Sequence, residues 1–495
     1  MKTLGLALSL VALAFCLGCG GSSNNNGGGG MGTFSNASLN GQYTYQLAGV
    51  DLGNGTEFRE IGSFTANGAQ GITGGSDDFV DGIVGGVNST TILNTSSYTV
   101  SNDGTATVFL NFSDTSQIIL ALTLVSTSKA YIVEADSFAQ GYGVAEKQSA
   151  SAFNAVPSGS FAFSMHSSNG TFGDSTASTG TVGAFTIAGG VVTSGNEDRS
   201  DGGLAAQHAI TAGLFNTTDA NGRSTGTLSA PATASFIYYM VDANNIRFLS
   251  QDINVVGIGR AEKQSGSPFS NGSLSGGYAF GARGDTPFFV GNLRAVGRFT
   301  SDGAGNLTQG QLDDVVDGLN EANVPFTGTY GAVNANTGRT AVALSGASVS
   351  NEVLYLVSPS RAFFLITDNG IVAEGALDLQ GSSSFTNAST NGQFAFVMDG
   401  FNTSFFLDRV ATLRWDGAGG LKLFELVNAS GVVNVPGTLN GTYTTDANGL
   451  GRTAGTIDTI SNNMVFYLVS GNKAYILQND VNTELDGMTE FQIMP

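Results

Sequence analysis

The sequence predicts an all-β protein made of four tandem repeats of about 115 residues. A Phe followed by small polar residues recurs at Phe34, Phe153, Phe269 and Phe385, at spacings of 119, 116 and 116 residues. The chain contains 71 Gly and only 12% charged residues, with 41% hydrophobic residues. This composition disfavours helices and favours strands joined by turns. No segment after residue 33 shows a sustained helical period.

Each repeat begins with a strand that carries aromatic residues at alternate positions. The four versions of this alternating pair are Tyr43 and Tyr45, Phe161 and Phe163, Tyr278 and Phe280, and Phe394 and Phe396. Residues two apart lie on the same face of a strand, so these aromatics mark the face that is buried.

Glycine-rich turns separate the strands that follow. The second strand ends in Asp302-Gly-Ala-Gly in the third repeat and in Asp416-Gly-Ala-Gly in the fourth. Glycine supplies the positive φ angles that tight reversals require. A later hairpin places an arginine after its turn at Arg223, Arg339 and Arg452. We expect these arginines to cover a barrel end or to pair with a nearby Asp.

A closing strand ends every repeat at Gln148, Gln264, Gln380 or Gln492. About eight short strands joined by tight turns favour a small antiparallel up-and-down β-barrel, because closure removes exposed edges. A two-sheet β-sandwich is the alternative. The repeats are predicted at 34–148, 153–264, 269–380 and 385–495. Each is long enough for its own core, and we expect them to follow one another like beads on a string.

The N-terminus has the pattern of an export signal. Lys2 precedes the apolar run 4–17, which is too short to span a bilayer as a permanent helix. The segment Leu17-Gly18-Cys19 resembles the bacterial lipoprotein signal, which implies cleavage after residue 18 and lipidation of Cys19. In that family Gly20 after the cysteine implies the outer membrane. Ordinary secretion with an unmodified cysteine is the alternative. Residues 1–18 are therefore predicted as signal peptide and 19–33 as a Gly/Ser/Asn-rich tether.

The repeats also resemble those of uncharacterised lipoproteins of acidobacterial type. The resemblance covers residues 34–495 and implies the repeat architecture and a place in the cell envelope, but no activity.

The net charge of −20 disfavours nucleic acid as a partner. The partners that remain are the membrane, through the N-terminal lipid, and a polysaccharide, a lipid or an envelope protein as ligand.

Acidic clusters after the second strand are the candidate metal ligands. They comprise Asp77, Asp78 and Asp81 in the first repeat and Asp313, Asp314 and Asp317 in the third. Oxygen-rich clusters suit Ca²⁺, which is thus the one candidate cofactor. Solvated turns capped by Asp side chains account for the pattern equally well.

No catalytic constellation is recognisable. His166 and His208 are the two histidines, neither is repeated, and no Ser–His–Asp spacing can be assembled around them. Trp415 could stack on a sugar or pack in a core. The sequence therefore predicts a non-catalytic, lipid-anchored binding or presentation protein of the cell envelope. The alternatives are a structural spacer without ligand and a carbohydrate hydrolase with two carboxylates in one repeat.

Overall fold

The computed structural model describes residues 33–82, 85–171, 175–287, 292–402, 405–458, 463–478, 480 and 483–495. The predicted signal peptide and Cys19 lie outside the described residues. Among the described residues, no helix is long and apolar enough to cross a membrane.

The first repeat forms one antiparallel sheet of nine strands. The strands are β1 Asn40–Asp51, β2 Thr56–Asn67, β3 Ile72–Asp81, β4 Asn88–Ile92, β5 Ser97–Val100, β6 Thr105–Asn111, β7 Gln117–Ser126, β8 Lys129–Glu134 and β9 Ala139–Lys147. β1 pairs with both β2 and β9, and the sheet curls so that bridges such as Gly71 with Ser97 join its two ends.

The second repeat closes through the pairing of β11 with β12, and the hairpin strand β13 extends outward from the barrel. Its strands are β10 Gly159–Ser168, β11 Ser178–Ala188, β12 Val191–Asp201, β13 Leu204–Ala209, β14 Ala212–Phe215, β15 Arg223–Ser229, β16 Thr233–Asp242, β17 Asn245–Ser250 and β18 Val256–Lys263.

The third repeat is a closed barrel of eight strands. They are β19 Ser275–Asp285, β20 Asn292–Asp302, β21 Asn306–Val316, β22 Leu319–Tyr330, β23 Arg339–Ser345, β24 Asn351–Ser358, β25 Arg361–Ile366 and β26 Val372–Leu379.

The fourth repeat closes through β28 and β29, with β30 as the outer strand. Its strands are β27 Asn391–Asn402, β28 Phe405–Asp416, β29 Gly420–Ala429, β30 Val432–Asn434, β31 Thr438–Thr445, β32 Arg452–Ile457, β33 Asn463–Ser470, β34 Lys473–Gln478 and β35 Thr483–Phe491. In the part of the chain that the structure describes, the helical elements are five short 3₁₀ turns at Asn36–Ser38, Ala150–Ala152, Ser175–Ala177, Asn271–Ser273 and Asn387–Ser389.

The all-β class and the barrel architecture are confirmed, in preference to the sandwich. The alternating aromatics fill the barrel interiors as predicted: Tyr45, Phe161, Tyr278 and Phe396 are each 0% exposed. Each repeat has its own apolar core. Trp415 belongs to the core of the fourth barrel, where its ring lies 4.4 Å from Tyr443 and 4.8 Å from Phe466.

A glycine recurs in the closing strand of every barrel, at Gly143, Gly259, Gly375 and Gly487. A Cβ at these positions would lie 1.7, 2.7, 2.3 and 1.9 Å, respectively, from a carbonyl oxygen of the barrel's first strand. Such distances are far inside van der Waals contact. Glycine is therefore required where the first and last strands of each barrel cross closely.

The expectation of beads on a string is wrong, because the barrels pack against one another in a closed ring. Separate apolar clusters join barrel 1 to 2, 2 to 3, 3 to 4 and 4 back to 1. In each cluster the first strands of one barrel meet the strands equivalent to β7 and β8 of the next. The residues between the alternating aromatics, such as Ala162 and Ala395, are buried in these clusters.

Candidate functional site

A cavity of about 560 Å³, lined by both charged and apolar side chains, lies between the four barrels. The first two and last two strands line it in the first, third and fourth barrels, and the first strand and last two strands line it in the second barrel, so all four repeats contribute. The side chains at equivalent lining positions differ. Ala48, His166, Arg283 and Asp399 occupy one such position, as the strand registers show. The repeats therefore build one asymmetric site together, rather than four copies of one site.

Four ion pairs lie around the cavity, one at each interface between neighbouring barrels, and we call them the ion-pair ring. They are Lys129 with Glu490 at 2.8 Å, Arg247 with Glu146 at 2.5 Å, Arg361 with Glu262 at 2.7 Å and Lys473 with Asp378 at 2.7 Å. In each pair the cation belongs to the strand before the closing strand. The carboxylate belongs to the closing strand of the preceding barrel, and the first barrel pairs with the last.

The electrostatics of the ion-pair ring follow from these contacts. Burial raises the pKa of Glu262, but Arg361 and Arg260 outweigh it and bring the pKa to about 2. For Glu490, burial is likewise outweighed by Lys129 and Lys473, so its pKa is lowered. The carboxylates of both residues are therefore ionised at neutral pH.

A histidine cluster lies further along the cavity wall, on strands of the second and third barrels. His166 Nδ1 lies 3.0 Å from Glu374 Oε1, and His166 Nε2 lies 3.6 Å from Asp285 Oδ2. Burial lowers the pKa of His166, but the charges of Glu374 and Asp285 outweigh this effect and raise the pKa to about 9. The imidazole is therefore charged at neutral pH. The sequence analysis singled out no role for His166, because it is not repeated.

An acidic cluster at the same depth joins the third and fourth barrels. Arg283 contacts Asp399 at 2.6 Å and Asp486 at 2.8 Å, and Arg294 contacts Asp486 at 3.1 Å. Asp408 stands opposite Asp399 on the neighbouring strand.

Both of these opposed carboxyls have perturbed pKa values. Burial, and then the charge of Asp399, raise the pKa of Asp408 well above its ordinary value. Burial also raises the pKa of Asp399, although Arg283 opposes this.

Five of the six predicted Ca²⁺ ligands lie on strands and are buried, so the alternative of solvated turns is wrong for them. Asp317 differs, because it lies half-buried in the turn that follows β21. Asp77 faces the interior of the first barrel, where its carboxylate accepts a hydrogen bond of 2.7 Å from Tyr45. Asp81 lies at the end of β3 and is 5% exposed. Asp314 accepts a hydrogen bond from Ser348, and Asp317 accepts one from Thr286. Within the described ranges, no group of three or more His, Cys, Asp or Glu could hold a metal ion.

Asp78 and Asp313, together with Asp198 of the second repeat, serve a different purpose. Each forms a triad with an arginine and a tyrosine of the next barrel. The triads are Asp78–Arg223–Tyr239, Asp198–Arg339–Tyr355 and Asp313–Arg452–Tyr467, with contacts of 2.6–2.7 Å. The three arginines of the mid-repeat hairpins thus do pair with aspartates, but with those of the preceding barrel.

The interface between the fourth and first barrels lacks this triad at all three positions. Leu426 stands in place of the aspartate, Thr105 in place of the arginine and Thr123 in place of the tyrosine. Leu426 packs in the apolar cluster there. The partners of the triad are thus replaced together, which avoids leaving a charge buried without a counter-charge.

The four closing glutamines fasten the ring. Each Nε2 donates to two backbone carbonyls of the next barrel. The acceptors are Asn221 and Met240 for Gln148, Thr337 and Leu356 for Gln264, Leu450 and Leu468 for Gln380, and Asp103 and Leu124 for Gln492. Gln492 returns from the last barrel to the first.

Comparison with known proteins adds little to this geometry. No protein-family model and no curated protein matches the chain. One similar solved structure is a double mutant of transferrin binding protein B (TbpB) from Haemophilus parasuis Hp5. It is 9% identical, covers 74% of this chain and 84% of that chain, and has a TM-score of 0.20.

Intact Ap-TbpB, with its N and C lobes, is 10% identical and covers 73% of this chain and 82% of that chain, with a TM-score of 0.19. The structure of CghA covers 94% of this chain and 95% of that chain at 8% identity, with a TM-score of 0.16. TM-scores this low do not establish a common fold.

Proposed function

We propose that this chain is a non-catalytic binding protein of the cell envelope that holds its ligand in the cavity between the four barrels. The observation that carries the proposal is the lining of that cavity. All four repeats contribute equivalent positions to it, yet a position that bears a charged side chain in one repeat bears an apolar side chain or the opposite charge in another. A cavity with a few convergent polar groups is the usual form of a ligand site.

The barrel interiors support the same choice. Each is filled by its own apolar core, so the space for a ligand lies between the barrels. A structural spacer would need only the packed barrels and their interfaces. The charged side chains that face the cavity are costly to desolvate, and a spacer gives no reason to retain them.

The N-terminal pattern supports export and lipid anchoring at Cys19, with the outer membrane as the site of residence. Replacement of Cys19 by Ser is the test of the anchor. We expect the variant to leave the membrane fraction for the soluble fraction and to incorporate no labelled fatty acid. Retention in the membrane fraction with unchanged labelling would contradict lipidation at this residue.

The binding proposal is tested by filling the cavity. Ala48 is the smallest side chain at its set of equivalent positions, so Ala48→Trp places an indole in the cavity and leaves the barrel cores untouched. Envelope polysaccharides and lipids are screened against the natural chain and this variant. We expect at least one class to bind the natural chain and to bind A48W at least tenfold more weakly. No binding to the natural chain would favour the spacer.

One observation favours a hydrolase as the second candidate. Asp399 and Asp408 line the cavity on adjacent strands of the fourth barrel, and burial raises both pKa values. A glycosidase needs two carboxyls, one of them protonated. Release of reducing sugar from a bound polysaccharide by the natural chain, but not by D399N or D408N, would establish this candidate. Binding without turnover would exclude it for that polysaccharide.

A further inference from the structure

One cation of the cavity has no counter-charge of its own. Arg260 lies on β18 and lines the cavity, and its guanidinium lies 4.8 Å from the ring centroid of Phe363 in the neighbouring barrel. Within the described part of the chain, Arg260 forms no ion pair within 4.0 Å and donates no side-chain hydrogen bond. Its donors therefore face the cavity.

The surroundings of Arg260 leave it in excess. The ion-pair ring contains four cations and four carboxylates, which pair with each other. Arg260 is a fifth cation beside them. Burial and then the charge of Arg361 lower its pKa, and Arg247 acts in the same direction, while Glu262 opposes them. The guanidinium is thus held among other cations in a partly desolvated place.

The other barrels show that this arginine is not needed for folding. The residues at its equivalent positions are Val144, Ala376 and Met488, which are all uncharged. A charge that is absent from three of four copies, and that repels its neighbours, is not a requirement of the barrel fold.

We propose that Arg260 binds an oxyanion of the ligand, a carboxylate or a phosphate, in the cavity. The inference rests on the proposed binding function and names the chemistry of its ligand. A guanidinium stacked on an aromatic ring keeps its plane fixed and its paired N–H donors available for two parallel hydrogen bonds to such a group. A bound anion would also relieve the repulsion from Arg247 and Arg361.

The test uses the full chain without its signal peptide, and inorganic phosphate and glucuronate as separate probes at constant ionic strength. Arg260→Met introduces the residue that the fourth barrel carries at this position. Arg199→Met is the matched control, because Arg199 is 35% exposed and lies outside the cavity. Binding is measured by calorimetry, and the midpoint of thermal unfolding is measured without ligand.

We expect the natural chain and R199M to bind one of the two probes, and R260M to bind it at least tenfold more weakly. The probe that binds identifies the group as phosphate or carboxylate. Without ligand, R260M should unfold at no lower temperature than the natural chain. The inference is overturned if neither probe binds, if R260M binds as well as the control, or if R260M is markedly destabilised.

The two proposals fail in different ways. A neutral ligand from the screen that A48W excludes and R260M retains would sink the oxyanion inference and leave the binding function standing. If the natural chain binds none of the ligands tested, and A48W does not differ from it, both proposals are refuted.

Discussion

The triad between the third and fourth barrels gives the sharpest prediction about stability. Asp313 is 0% exposed and accepts two hydrogen bonds from Arg452, at 2.6 and 2.7 Å, and one of 2.6 Å from Tyr467. The change Arg452→Ala removes the only cation that the described contacts give this carboxylate. A buried charge left without its partner destabilises a protein by about 3–5 kcal/mol. We expect R452A to fall in this range.

A matched variant distinguishes the effect of losing the ion pair from the effect of leaving Asp313 charged and unpaired. The triple variant Asp313→Leu, Arg452→Thr and Tyr467→Thr introduces the three residues found at the interface between the fourth and first barrels. Replacement of a buried ion pair by apolar side chains is often neutral or stabilising. The triple variant should therefore lie within about 2 kcal/mol of the natural chain, although it changes three residues instead of one.

Trp415 provides the assay, because it is the single tryptophan and lies in the core of the fourth barrel. Its fluorescence during urea unfolding reports the barrel that contains Arg452. Circular dichroism followed in parallel shows whether the other barrels unfold together with it. A loss of less than 1 kcal/mol for R452A, or an equal loss for the triple variant, would refute the argument from the stranded charge.

Three further predictions concern single positions. The pKa of His166 is raised to about 9, so its stabilising contribution of about 3 kcal/mol should be complete below the unfolded-state pKa of about 6.5 and should be lost as the pH rises through 9. NMR titration of His166, and the pH dependence of unfolding compared with that of H166Q, will check this. Gln492→Glu puts a carboxylate against two carbonyl oxygens and should destabilise the ring more than Gln492→Ala, by thermal unfolding; equal effects would discount these hydrogen bonds. Gly143→Ala places a Cβ 1.7 Å from a carbonyl oxygen of β1 and should destabilise by about 1–3 kcal/mol or more in urea; an unchanged midpoint would show that the strands can separate there.

The barrels themselves were within reach of the sequence, because their determinants are local. Alternating aromatics at Tyr43 and Tyr45 and glycine-rich turns such as that after Asp302 specify strands and reversals over a few residues. These features recur with the repeat and therefore reinforce one another. The strand assignments and the filled interiors follow from them directly.

The ring was not within reach, because its contacts join residues that the sequence does not relate. Arg223 donates a hydrogen bond to Asp78, 145 positions away, and nothing in the sequence around either residue identifies its partner. The sequence indicated that the hairpin arginines either cover a barrel end or pair with a nearby aspartate. Which barrel supplies the aspartate depends on how two finished barrels pack.

The cavity escaped prediction for a further reason. Comparison of repeats selects residues that are shared, such as Gln148 and its equivalents, and passes over positions where the repeats differ. Ala48, His166, Arg283 and Asp399 occupy one such position, and Arg260 another. A search for equivalent positions with unlike polar residues is the signal that would have found them.

The contact between the two ends of the folded region has a consequence for chain connectivity. Phe34 and Gln492 both lie against Gly104, where an added Cβ would come within 2.9 Å of the Phe34 ring and 2.6 Å of Gln492 Nε2. The ring of four barrels should therefore tolerate chain termini at a different link between barrels. In a circular permutant, the two ends would be joined beside Gly104 and the chain opened in the link between Lys147 and Gly159. Every contact between neighbouring barrels would be kept, while any anchor attached to the new N-terminus would move by one barrel around the ring of four.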